Sequence, residues 1–121
     1  MRRWWVALAV AAMVVPGTAQ AMTVDQFLAR ANALKAKGMM AMLSPDVGVL
    51  KSEMAEALQA WQAQKAARKA AGKPPLACAP EGTTMSRDEM LAALAALPPA
   101  QRAGSVRDGV ARMFIARYPC R

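Results

Sequence analysis

In four stretches between Thr23 and Tyr118 the bulky apolar residues return every three or four positions, each stretch opened by capping residues and closed by Gly or Pro. That spacing puts them on one face of an α-helix. No alternating, β-branched run of strand length interrupts it, so the chain is expected to be all-α, a compact four-helix domain. The first helix is predicted over about 24–37. Thr23 with Gln26 makes a capping box there, Val24, Phe27, Leu28, Ala31 and Leu34 share a face, and Gly38 stops the run. Ser44-Pro45-Asp46 opens a second helix, with Ser to cap, Pro for the first turn and Asp at the positive end.

The second helix carries Val47, Leu50, Met54, Leu58 and Trp61 at near-heptad spacing, suited to lying along another helix. That stripe is suited to packing inside the monomer or across a two-fold axis, so a homodimer is among the expected assemblies. Beyond Trp61 only Ala, Gln, Lys and Arg follow until Gly72-Lys73-Pro74-Pro75 ends the helix. Ser86 with Glu89 makes a second capping box, before Met90, Leu91, Leu94 and Leu97 on a short third helix closed by Pro98-Pro99. Ser105 and Asp108 open the last, whose face holds Val106, Val110, Met113, Phe114 and Tyr118 up to Pro119.

Residues 1–21 read as an address. Arg2 and Arg3 precede an unbroken apolar run from Trp4 to Val15, and Pro16-Gly17 and Ala19-Gln20-Ala21 follow, the pattern of a secretory signal peptide cleaved after Ala21. The run is shorter than the roughly 20 residues that span a bilayer. One domain, 22–121, remains, and the expected location is periplasmic or secreted. Export decides how the two cysteines read: in an oxidising compartment Cys78 and Cys120 are most simply one disulfide.

Without residues 1–21 the chain keeps 23 Ala and 27 larger apolar or aromatic residues, so its core is thin and a covalent link matters. Closing a loop of this length stabilises a fold by about 4 kcal/mol in the chain-entropy model. The same 100 residues hold 14 basic and 8 acidic side chains, a formal charge of +6. There is no His, the carboxylates are scattered, and no Ser has a Lys three residues later. Neither an enzyme nor a cofactor is expected, and no metal site is assigned. Met39, Met40 and Met42 raise Cu(I), which thioethers suit, but the sequence assigns them to flexible core filling, as for Met residues on other apolar faces.

Lys65, Arg68, Lys69 and Lys73 line one side of the second helix just after Trp61. They complement the helix dipole and keep an Ala-rich helix soluble. With Trp61 they are also the candidate surface for an acidic partner: anionic lipid headgroups, an anionic wall polymer or an acidic protein surface, of which a protein is the expected one. Nucleic acid is not an expected partner of an exported chain. Membrane contact would be weak, because few bulky apolar residues lie beyond Trp61.

From Cys78 the chain runs Cys78-Ala79-Pro80, a turn through Gly82, Thr83-Thr84-Met85, a helix ending Ala95-Ala96-Leu97-Pro98, then Arg102 and Tyr118-Pro119-Cys120. This resembles the C-terminal half of the resistance-associated, or Tai-type, periplasmic immunity proteins. The resemblance implies a compact helical protein, often dimeric and disulfide-bonded. It further implies a role in neutralising a peptidoglycan-cleaving amidase delivered by a type VI secretion system, by blocking its active site. Residues 22–77 carry instead the Ala- and Lys-rich helix. The expected function is an exported, non-catalytic binding protein of this kind; the alternative is a chaperone-like helical protein of envelope stress.

Overall fold

The computed structural model describes residues 21–121, so the expected signal peptide lies almost wholly outside the described residues. Five α-helices and one 3-10 segment make up the described chain: α1 Val24–Lys37, the 3-10 turn Gly38–Leu43, α2 Asp46–Ala70, α3 Arg87–Ala95, α4 Pro99–Arg102 and α5 Val106–Arg117. The four expected helices are all there. The fifth, α4, is a single turn that Pro99 can start because Pro fits the first helical position.

Three of the four expected helix starts follow their local signals; at α2 the cap position falls on Pro45, without a side-chain cap, and Ser44 Oγ accepts only from the Asp46 amide at 3.3 Å. Thr23 Oγ1 accepts from the Gln26 amide at 3.1 Å while Gln26 Oε1 accepts from the Thr23 amide at 3.0 Å, a complete capping box. At α3 the box is only half made, which corrects the sequence reading. Ser86 Oγ accepts from the Glu89 amide, but the Glu89 carboxylate lies 3.5 Å from Arg117 Nη2 on α5, an ion pair that holds it away from the Ser86 backbone. Ser105 Oγ caps α5 through the Asp108 amide.

The starts of α1 and α5 lie side by side. The Val24 amide donates to Gly104 O at 3.0 Å and the Val106 amide to Met22 O at 2.9 Å, an isolated antiparallel bridge between Thr23 and Ser105. Below it the helices touch: Val24, Val106 and Val110 are buried with Leu94 and Met113, and Gly109 is buried among them. A methyl group on Gly109 would overlap the Cγ2 of Val24. Arg102 clamps the same end, its Nη1 donating to Ala95 O and Leu97 O, both at 3.0 Å, and its Nε pairing with Asp25 at 3.2 Å.

The most extensive helix pair is α2 with α5. The α2 stripe is used inside the monomer: Leu50, Ala57 and Trp61 are buried, and Met54 and Leu58 pack half-buried against the core. The methionines of the 3-10 turn are a second correction. Met39, Met40 and Met42 are 93%, 64% and 79% exposed, so they fill no core. The turn bridges the end of α1 and the start of α2, and among the described residues its main contacts are with α1.

Gly109 and Gly48 separate packing from propensity. Gly109→Ala is expected to lower stability by about 1–3 kcal/mol through overpacking against Val24. Gly48, exposed in α2 with nothing within 4 Å of an added methyl, should gain up to about 1 kcal/mol as Ala. Thermal unfolding followed by circular dichroism should therefore move the midpoint in opposite directions for the two variants.

Candidate functional site

The end of α2 is built by a reversal. Gly72 adopts φ of +68°, the left-handed conformation that favours Gly, and closes a Schellman motif. The Lys73 amide donates to Arg68 O at 2.9 Å and the Gly72 amide to Lys69 O at 3.1 Å. The chain then turns back, and Arg68 Nε donates to Pro74 O at 2.8 Å, which holds Pro74-Pro75-Leu76 beside the last turns of the helix. Between them lies a groove of about 640 Å³.

All five candidate partner-binding residues line that groove: Lys65, Arg68, Lys69 and Lys73 on its rim, and Trp61 at its inner end. Pro75 and Leu76 form the opposite wall. In the sequence Pro75 served only as part of a helix terminator and Leu76 carried no role, and nothing local marks either as a wall. Trp61 is only 5% exposed. Its ring stacks on Phe114 at 5.4 Å between centroids, and Phe114 on Tyr118 at 6.4 Å, so an aromatic row runs from the groove to the end of α5.

That row leads to the disulfide. Cys78 and Cys120 are joined, with Cα atoms 4.9 Å apart and 42 positions between them in sequence. The Cys78 amide donates to Tyr118 O at 2.7 Å, and Cys120 Sγ lies 3.6 Å from Pro75 O. The link therefore anchors the groove wall to the end of α5.

The groove is positive and unopposed. No Asp or Glu lines it, and among the described residues the ion pairs are Lys35–Asp88, Arg102–Asp25 and Arg117–Glu89, all outside it. Stability alone does not demand four cations here. Cations near a helix C-terminus gain about 0.3–1 kcal/mol each, while Lys65 and Lys69, one turn apart, lose a few tenths by repulsion. Glu at one of these positions would form a stabilising pair instead. What the arrangement offers is a concave site for negative charge, with an apolar wall.

Elsewhere the described residues hold no group of three or more His, Cys, Asp or Glu side chains close enough to share a metal ion. No described helix is long and apolar enough to cross a membrane. A smaller hollow between α1 and α3 is crossed by the Lys35–Asp88 ion pair at 3.2 Å. No protein-family model, curated protein or solved structure matches the chain.

Because the bridge pins the groove wall, the double variant Cys78→Ser with Cys120→Ser should lose about 2–4 kcal/mol of stability. Hydrogen exchange should accelerate at the Lys73 and Cys78 amides well before it does at Val110. Urea titration with native-state exchange checks both; unchanged exchange at Cys78 would show that the wall stands without the bridge.

Proposed function

We propose that this chain is an exported, non-catalytic binding protein that occludes a partner protein, in the manner of the periplasmic immunity proteins its C-terminal half resembles. The observation that carries the reading is the basic groove, which collects Lys65, Arg68, Lys69 and Lys73 on one concave surface without a neighbouring carboxylate. The occupant it fits is an acidic segment on the surface of a folded protein. Such a segment would set its carboxylates against the rim and an apolar side chain against Pro75 and Leu76. The disulfide supports placing the protein in an oxidising compartment. The resemblance supplies the candidate partner, a peptidoglycan amidase.

A second reading, a chaperone-like envelope protein, is favoured by one observation: the 3-10 turn exposes three Met and Leu43 together. Flexible apolar side chains of this kind suit promiscuous contacts. It predicts suppression of aggregation of unrelated clients that survives Met→Leu exchange.

The test of the leading reading is a titration of the purified chain against a peptidoglycan amidase of the kind delivered by type VI secretion systems. The expected result is a stoichiometric complex that inhibits the amidase. The triple reversal Lys65→Glu, Lys69→Glu, Lys73→Glu should weaken it at least about a hundredfold, since charge reversals at a complementary rim cost several kcal/mol together. A complex indifferent to the reversal would remove the groove from the interface, and absence of any complex would reject the immunity role.

A further inference from the structure

The eight described methionines divide sharply. Met22 and Met113 are buried, and Met54, Met85 and Met90 pack half-buried against the core. Met39, Met40 and Met42 do neither, at 93%, 64% and 79% exposure within one six-residue turn. A 3-10 helix has three residues per turn, so positions three apart stand one above the other. Met39 and Met42 therefore share one edge, and Met40 shares the adjacent edge with Leu43. Gly38 and Ala41 take the third, and no bulky group stands there to separate the thioethers.

We propose that Met39, Met40 and Met42 form a binding site for a soft monovalent metal ion, Cu(I), held by three thioether sulfurs. The geometry permits it without backbone change. Residues three apart in a 3-10 helix rise about 6 Å, and each Met side chain has three rotatable bonds with which to bring its sulfur onto a shared ion. The chemistry selects the metal: thioethers are soft, uncharged donors that hold Cu(I) and do not compete for hard cations such as Mg(II) or Ca(II). The chain offers Cu(I) no stronger donor, because it has no His and both of its cysteines are in the disulfide.

Methionine also suits adaptable apolar contacts, but it carries a donor atom that leucine lacks, and Met→Leu exchange separates the two roles. A segment made to lie in lipid sets Trp, Phe and Leu opposite a face rich in Lys and Arg, whereas this one has no aromatic or charged residue and three of its four bulky side chains carry sulfur. The site is independent of the groove: the two lie at opposite ends of α2, whose 25 residues span about 37 Å.

The experiment supplies Cu(I) anaerobically as its weakly held acetonitrile complex, equilibrates it by dialysis with the disulfide-bonded chain and measures by metal analysis the copper that the chain withdraws. One equivalent per chain is expected to be withdrawn. The triple variant Met39→Leu, Met40→Leu, Met42→Leu should withdraw none, while Met54→Leu with Met90→Leu should behave as the parent. All three positions of the triple variant are exposed, so its helical circular dichroism should be unchanged, and Leu keeps the apolar character that a protein or lipid contact would need. In parallel, Ag(I) as a redox-inert stand-in should shift three methionine methyl resonances and leave those of Met22 and Met113 in place. Withdrawal that persists in the triple variant, no withdrawal by the parent, or silver shifts spread over the buried methionines would each overturn the proposal.

Discussion

The bridge between Cys78 and Cys120 is the constraint on which the second half of the molecule rests. Between Ala71 and Ser86 the chain has no helix, and such a length of irregular backbone carries a large conformational entropy. The disulfide takes hold of that connection at its middle and fastens it to the segment that follows α5. The Cys78 amide bond to Tyr118 O and the stacking of Trp61, Phe114 and Tyr118 act at the same place, so covalent, polar and aromatic contacts hold one junction. Few side chains are fully buried, and the largest of those that are, Leu94, Met113, Val24, Val106 and Val110, cluster around the junction of α1, α3 and α5. The bridge and this small core thus secure different parts of the fold.

That core owes its density to a missing side chain. Gly109 is the one buried position on α5 where the backbone of the helix meets Val24 directly, and the paired bonds from Val24 to Gly104 and from Val106 to Met22 fix the two helices at that separation. Arg102 then closes the end of α3 by accepting none and donating three times, to two carbonyls and one carboxylate. A cation at a helix C-terminus is favoured by the dipole as well.

How much of this was legible in the sequence follows from the range of each interaction. The helix boundaries were, because Thr23, Ser86 and Ser105 bind amides only three residues away and Gly38 and Gly72 end their helices locally. The pairing of the cysteines was too, since there are only two. Glu89 shows where such reading stops: its local partner was an amide three residues back, and a guanidinium 28 positions on took it instead. Nothing local to Gly109 shows that its missing side chain is needed, because the group it makes room for, Val24, lies 85 positions away. The basic residues of the groove were visible as a stripe, whereas its wall was not, because Pro75 and Leu76 reach it only through the reversal at Gly72 and the distant hold of Cys120. The exposure of the 3-10 methionines was hidden for the same reason, since burial depends on what the rest of the chain brings alongside.

Helix α2 joins two surfaces that the fold itself does not require. Its packing is confined to Leu50, Ala57 and Trp61 with the half-buried residues between them, all on the stretch that faces α5 and α1. The sulfur-rich turn precedes that stretch and the cationic turns follow it, each outside the core. Along Lys51 to Glu56 the exposed face mixes Lys and Glu, as a helix made only for solubility would; from Gln62 to Lys73 every charge is positive. Composition therefore changes where packing ends, and it changes toward one chemistry at each end: thioethers at one, cations at the other. A rigid helix between them lets either surface vary without disturbing the other, because residues so far apart with no shared partners act independently on stability.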